Sequence, residues 1–206
     1  MDDTPFPTTF PPSGALGEAN ELAWLLRAER AGLAVTPMVI VPGAVETGFY
    51  ALNNLAEQLQ RLFEGLISDD PDEDDLEEVT PEAVALVRAH ALLDEVIEHL
   101  YDAFTVLPDE VIVRRAGSAG TATRRGRDAL LAVKRVWASE WETDAVAARL
   151  RAGDGLAPTA RAVLVHDARV SRVRETLGFG PAGAALEAWH DVDGRLARLA
   201  LAVERS

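Results

Sequence analysis

Three short apolar runs, each too short to form a typical helix, constrain the fold of this chain most. The runs are MVIV (38–41), VIV (111–113) and AVLV (162–165), and a proline stands shortly before each of the first two. Continuous apolar runs of this length, rich in β-branched residues, are typical of buried strands. The sequence therefore predicts a helix-rich α/β or α+β domain in which helices cover a small sheet.

Apolar residues spaced three or four positions apart predict five helices around these runs. The helices begin near Leu16, Val45, Thr80-Pro81, Leu130 and Leu186. Thr80 and Pro81 suit the cap and the first position of the third helix. The last predicted helix has an apolar stripe formed by Leu186, Trp189, Leu196, Leu199 and Val203.

Composition divides the chain into an arm and a single domain. Residues 1–14 contain five prolines or glycines and no periodicity, which indicates an extended arm. Residues 15–206 form one predicted domain. Eight acids between Asp69 and Glu78 predict a solvated acidic connector over residues 68–79, because so many like charges do not pack against one another.

Charge and composition exclude several classes of function. The net charge of −14 argues against nucleic-acid binding, since a phosphate backbone would repel the chain as a whole. No apolar run approaches the about 20 residues that a membrane-spanning helix needs. The first residues have no basic and apolar segments of the kind that a signal peptide contains, and cysteine is absent. We therefore expect a cytoplasmic protein.

Arginines surround a loop with three glycines between Gly117 and Gly126. Arg114, Arg115, Arg124 and Arg125 flank this loop, and two interpretations remain open. Backbone N–H groups and guanidinium groups would together form a nucleotide- or anion-binding site. Alternatively, the segment is a flexible surface loop whose arginines offset an acidic protein.

Histidines and acids occur together at three other places. Glu95 and His99 are spaced i,i+4, His166-Asp167 follows a predicted strand, and His190-Asp191 is followed by Asp193. Each pattern is compatible with a metal or catalytic site. A solvated helix face or a structural turn is the preferred interpretation. We predict no metal site, no cofactor and no catalytic residue.

Three segments, taken in order, resemble a known family: GEANELAWLLRAERAGLAVTPMVIVP (17–42), VIVRRAGSAG (111–120) and DALLAVKRVWASEWETDAVAAR (128–149). They resemble the opening of the nucleotide-binding domain of phosphoenolpyruvate synthase and pyruvate phosphate dikinase. The second segment resembles the family's VAVRSSATAED and places Arg114 on its arginine. The resemblance implies an ATP-grasp-like fold and an ancestral site that passes phosphate from ATP to a histidine on another domain.

The same resemblance implies that the ancestral chemistry is lost. The family lysine that neutralises phosphate charge falls on Glu18, and Lys134 is the chain's single lysine. The polar and acidic residues that follow the family arginine become Arg115-Ala116-Gly117-Ser118. We also expect the second half of the family domain, with its acidic magnesium ligands, to be missing.

The leading hypothesis is therefore a non-catalytic relic of this ATP-binding domain that acts as a binding or regulatory module. The alternative is a half-domain of an ATP-dependent phosphotransferase that uses ATP and magnesium once a separate chain completes it. In both cases we expect a homodimer or a protein partner to cover the missing half-domain. Two roles stay open for the last predicted helix: it docks onto another copy, or it folds back over the gap within the chain.

Overall fold

The computed structural model of the chain describes residues 7–9, 21–67, 71–177 and 186–201. The described helices are α1 Glu21–Arg30, α2 Gly43–Leu52, α3 Leu55–Leu62, α4 Glu73–Ala89, α5 Asp94–Phe104, α6 Arg127–Ala138 and α7 Thr143–Ala152, with a 3-10 turn at Ser139–Trp141. The strands are β1 Thr8–Thr9, β2 Met38–Val41, β3 Glu110–Arg115, β4 Thr121–Arg124, β5 Val163–Asp167, β6 Val170–Leu177, β7 Leu186–Asp191 and β8 Leu196–Leu201.

A five-stranded antiparallel sheet with the order β1-β2-β5-β3-β4 forms the centre of the fold. Its three inner strands are β2, β5 and β3, which contain the three apolar runs of the sequence, so the strand predictions are confirmed. Strand β5 pairs with β2 on one side and with β3 on the other. Its central residue Leu164 lies opposite Ile40 of β2 and opposite Arg114 of β3.

Alternation along these strands divides the core into two clusters, because successive side chains of a strand point to opposite faces. In β2, Val39 and Val41 face the cluster formed with helices α2 to α7, here called the helical core. Met38 and Ile40 face a second cluster, here called the α1 core. The α1 core consists of residues from α1, the sheet and a smaller second sheet: Leu22, Trp24, Leu25, Ala28, Met38, Ile40, Leu164, Leu186, Ala188, Leu196 and Leu199.

The mixed α/β class with a small sheet covered by helices is confirmed. The covering differs between the two faces, however. Helices α2 to α7 cover one face. Helix α1 and a three-stranded sheet of order β6-β7-β8 pack on the other face. None of the helices in the described ranges is long and apolar enough to cross a membrane.

The predicted last helix is wrong, because residues 186–201 form the antiparallel hairpin β7–β8. Asp193-Gly194 lies in its turn, and Gly194 adopts a φ of 78°, a conformation that glycine reaches without strain. The Asp191 carboxylate accepts the N–H groups of Asp193 and Arg195, both at 2.9 Å, which fixes the turn. Val203 of the predicted stripe lies outside the described residues.

The acidic segment is also helical over most of its length. Helix α4 begins at Glu73, not at Thr80-Pro81, so the predicted connector over 68–79 is wrong for residues 73–79. The Asp72 carboxylate accepts the N–H of Asp74 at 3.0 Å and caps the helix. Acids in the first turn stabilise a helix because its N-terminus carries partial positive charge.

Two predicted helices are interrupted. The second is divided into α2 and α3 at Asn54, which adopts a left-handed backbone with a φ of 49°. The third ends at Ala89, and α5 follows it. Of the predicted arm 1–14, only residues 7–9 are described, and Thr8–Thr9 form the edge strand β1 beside β2.

Candidate functional site

Arg114, the arginine that matches the family motif, is buried and paired with Glu21 at the start of α1. Only 1% of Arg114 is exposed. Its Nη1 lies 2.6 Å from Oε2 of Glu21 and its Nη2 lies 2.7 Å from Oε1. This two-pronged geometry is the one in which a guanidinium also binds phosphate. A carboxylate of the chain itself therefore takes up the face of Arg114 that an anion would use.

The remaining donors of Arg114 are also used. Its Nε donates to Nε2 of His166 at 2.9 Å, and the other two contacts are with the carbonyl oxygens of Arg115 and Ala197, at 3.3 and 3.2 Å. Because a guanidinium has five N–H donors, the five hydrogen bonds satisfy it completely.

Glu21 is satisfied as well. It accepts the N–H of Gly117 at 2.8 Å and the N–H of Leu199 at 3.0 Å in addition to the two bonds from Arg114. These bonds join α1, the end of β3 and strand β8. The Glu21–Arg114 pair therefore connects the central sheet to the layer that covers it.

His166 completes this buried network from β5. Burial, and next the positive charge of Arg114, lower the pKa of His166 to about 4. The ring is therefore neutral near pH 7, with Nε2 accepting from Arg114 and Nδ1 donating to the carbonyl oxygen of Asp167 at 2.9 Å. His166 stabilises the pair and has no free nitrogen for a ligand.

The four arginines of the predicted anion site do not converge. Arg115 follows Arg114 in β3 and so faces the helical core, where its Nη2 lies 2.8 Å from Oε1 of Glu46. Arg124 is exposed and lies opposite Glu110 at the other end of the β3–β4 hairpin. Arg125 pairs with Asp109 at 2.9 Å. Anion binding by these residues stays a prediction, and Glu18 lies outside the described residues.

Gly120 packs closely against the C-terminal part of β3. Its φ is 79°, and a Cβ added there would lie 2.4 Å from the Cβ of Arg114. No larger residue fits without displacing β3. Gly120 therefore lets the two strands of the β3–β4 hairpin meet beside Arg114, at a place where the sequence left open either an anion-binding loop or a flexible surface loop.

A pocket of about 570 Å³ lies on the helical side of the sheet, between α2, α3, Trp141 and the segment before β5. Its polar lining residues are Glu46, Thr47 and Tyr50 of α2 and Gln60 of α3, and Glu46 and Tyr50 are one helical turn apart. The complete lining is Glu46, Thr47, Tyr50, Ala51, Ala56, Gln60, Ile67, Trp141, Leu156, Ala157, Pro158 and Ala160.

Ion pairs of Glu46 and Glu140 lie beside the residues that line this pocket. Glu140 lies 3.3 Å from Nε of Arg115 and 2.7 Å from Nη2 of Arg161. Arg149 stacks over the Trp141 ring, 5.6 Å from its centroid. Burial raises the pKa of Glu46, and the hydrogen bond and charge of Arg115 oppose that rise. These contacts hold Glu46 and Trp141 in fixed positions.

Tyr50 contributes a hydroxyl group to the pocket. Its hydroxyl oxygen accepts the indole N–H of Trp141 at 2.6 Å. Burial raises the pKa of Tyr50 further above its ordinary value, so the hydroxyl remains protonated. In the described part of the chain, no acceptor lies in hydrogen-bond geometry for the hydroxyl hydrogen of Tyr50.

Sequence reasoning did not find this pocket. Trp141 is 2% exposed, as is typical of a core residue. Glu46 and Tyr50 carry the signal that was available in the sequence, since they are polar residues spaced i,i+4 in a mostly apolar helix. Residues 156–160 have no pattern that predicts their position, and they complete the pocket.

Residues of the other two histidine and acid combinations make backbone and turn contacts. Nδ1 of His99 lies 2.7 Å from the backbone oxygen of Glu95, not its carboxylate. The Asp191 carboxylate accepts the Thr36 hydroxyl at 2.6 Å in addition to its two turn bonds. Within ranges 7–9, 21–67, 71–177 and 186–201, no three histidine or acidic side chains are arranged to hold a metal ion.

Comparison with known proteins does not assign the chain to a family. The chain matches no protein-family model and no curated protein. The resemblance to the nucleotide-binding domain of phosphoenolpyruvate synthase and pyruvate phosphate dikinase therefore stays a prediction, based on segments 17–42, 111–120 and 128–149.

Proposed function

We propose that the chain is a non-catalytic binding module, related to an ATP-binding domain of the phosphoenolpyruvate synthase type whose phosphate site is closed. The observation that supports this proposal is the buried pair of Arg114 and Glu21. Arg114 is the basic residue that the resemblance assigns to phosphate, and its two-pronged face binds Glu21 instead.

Energetics favour the closed site. For phosphate to reach Arg114, the guanidinium would have to leave Glu21, and the carboxylate would remain buried without its partner. Breaking a buried ion pair in this way costs about 3–5 kcal/mol. A phosphate beside Glu21 would also be repelled by its charge. Glu18 adds to this effect in the sequence, since it stands where the family has a lysine.

The first prediction is that the purified chain neither binds nor hydrolyses ATP. Isothermal titration with magnesium-ATP should give no binding heat at millimolar nucleotide, and no phosphate should be released. The control pair is Arg114→Met and Arg124→Met, because Arg114 is buried whereas Arg124 is exposed. Magnesium-dependent turnover that Arg114→Met abolishes and Arg124→Met retains would refute the proposal.

A protein partner, either a second copy or another chain, belongs to this proposal. It would have to use a surface other than the predicted docking helix, because Leu186, Leu196 and Leu199 are buried in the α1 core. Light scattering at micromolar concentration measures this: a mass above 22.2 kDa supports self-association, and a mass of 22.2 kDa contradicts it.

A further inference from the structure

We propose that the pocket between α2, α3, Trp141 and residues 156–160 binds a small neutral molecule with an aromatic ring and a hydroxyl group. This inference extends the binding role proposed above but depends on different residues from the Glu21–Arg114 pair. A failure of one proposal therefore leaves the other standing.

The size and walls of the pocket suit an aromatic ring. Its volume of about 570 Å³ lies within the usual range for small-molecule sites. The rings of Tyr50 and Trp141 stack with their centroids 6.5 Å apart and an angle of 25° between their planes. Ile67 and Leu156 are among the apolar residues that complete the walls. An aromatic ring that enters there gains contact with both apolar and aromatic surface.

Tyr50 provides a hydrogen-bond donor for the ligand. Its oxygen already accepts the Trp141 N–H, so the hydroxyl hydrogen is the group that remains. Among the described residues no acceptor takes this hydrogen, and a ligand oxygen that does so gives it a partner inside the pocket. A ligand with an oxygen on its ring therefore suits the site better than a hydrocarbon.

Glu46 provides the acceptor. Arg115 occupies its Oε1 at 2.8 Å, whereas Oε2 receives a long contact of 3.4 Å from the N–H of Arg161. Glu46 and Tyr50 lie on the same side of α2, one turn apart. A hydroxyl group can accept from Tyr50 and donate to Glu46 at the same time, which a carbonyl oxygen cannot do.

Charge restricts the ligand to a neutral molecule. An anion would lie beside the Glu46 carboxylate and would be repelled by it. A cation would compete with Arg115 for Glu46, and Arg115 is held there by Glu140 as well. A neutral hydroxyl avoids both costs.

The test compares phenol with toluene, which have almost the same shape and differ in the hydroxyl group. An apolar pocket without polar recognition would favour toluene, because phenol loses hydration of its hydroxyl on entry. We expect phenol to bind about three- to tenfold more tightly, the range that one hydrogen bond supplies. Proton–nitrogen NMR titration, followed at the indole N–H of Trp141, measures both affinities on the full chain.

Three variants identify the site. Tyr50→Phe should weaken phenol about three- to tenfold and leave toluene unchanged, since it removes only the hydroxyl. Ala56→Phe should block both probes, because Ala56 is an exposed residue of α3 that lines the pocket. Ala148→Phe, at an exposed position of α7 outside the pocket, is the control and should bind both probes as the unmodified chain does.

The possible outcomes separate the proposals. If toluene binds as tightly as phenol, or if Tyr50→Phe leaves the preference unchanged, the hydroxyl recognition is refuted. If Ala56→Phe binds phenol normally, phenol lies elsewhere and the site is refuted, even if Tyr50→Phe does not fold. Binding of ATP would contradict the closed phosphate site and would not affect these results.

Discussion

His166 shows how a single buried residue can link the stability of the fold to pH. Its ring lies in β5 beside Arg114, and both ring nitrogens are used. Burial and the nearby positive charge lower its pKa from 6.5 to about 4. The unfolded chain therefore binds more protons than the folded chain between these two values, so stability increases with pH across that interval.

The residue-scale prediction follows from this sign. As the pH falls from 6.5 to 4, the free energy of unfolding should lose up to about 3 kcal/mol through His166 alone. Urea unfolding at a series of pH values measures the slope. His166→Gln, whose amide oxygen can still accept from Arg114, should lose this part of the slope. His99→Gln changes an exposed histidine and should retain it.

Glu46 affects the pH dependence of stability in the direction opposite to that of His166. The slope of the unmodified chain must therefore be compared with that of His166→Gln. Its pKa is raised by burial, so the folded chain binds more protons than the unfolded chain above pH 4.5. This contribution increases stability as the pH falls. Both His166→Gln and the unmodified chain contain Glu46, so its contribution cancels when the slope of one protein is subtracted from that of the other. An equal slope in the two proteins would show that His166 is already protonated or solvated in the fold.

At the scale of elements, the core strands could be predicted, and the β7–β8 hairpin could not. The core strands are continuous apolar runs, and two of them follow a proline, so both composition and length indicate a strand. The apolar residues of this segment fit a helical stripe, because the successive gaps of three, seven, three and four residues match that period: Leu186, Trp189, Leu196, Leu199 and Val203. The Asp193-Gly194 turn was the signal that distinguishes the two.

The candidate sites could likewise be predicted only in part from the sequence. Arg114 was singled out from its family motif, but its partner Glu21 is 93 residues away in the sequence. No local pattern reveals that pairing. The pocket depends on α2, α3, Trp141 and the segment before β5, which only the tertiary fold brings together. The sequence therefore could not predict that Arg114 and Glu21 are buried as a pair, because that pairing depends on the tertiary fold.

Lys134 caps α4 and gives the element-scale prediction. Its Nζ donates to the carbonyl oxygen of Arg88 at 2.7 Å and to that of His90, at the C-terminal end of the helix. A positive charge there complements the partial negative charge of the helix end. Lys134→Met should lower the free energy of unfolding by about 2 kcal/mol.

Arg135→Met is the matched control for this change. Arg135 is the next residue of α6 and is exposed, so its removal should leave the denaturation midpoint almost unchanged. Chemical denaturation of both variants measures the difference. If they lose the same stability, the hydrogen bonds of Lys134 contribute nothing beyond its charge.

For the whole molecule, the central sheet determines how the two cores unfold. The helical core and the α1 core pack on opposite faces of the same strands, and the Glu21–Arg114 pair connects the sheet to α1. If the shared strands unfold, both clusters lose the sheet against which they pack. We therefore predict that the two cores unfold in one transition.

Fluorotryptophan NMR provides a separate signal for each core, since Trp24 lies in the α1 core and Trp137 in the helical core. Leu25→Ala and Leu59→Ala each remove a fully buried side chain, one from each core, and each should cost about 2–5 kcal/mol. Both variants should shift the loss of the Trp24 and Trp137 signals to the same lower urea concentration. If Leu25→Ala shifted only the Trp24 signal, the layer formed by α1 and the three-stranded sheet would be an independent unit, and the shared strands would not transmit its loss to the helices.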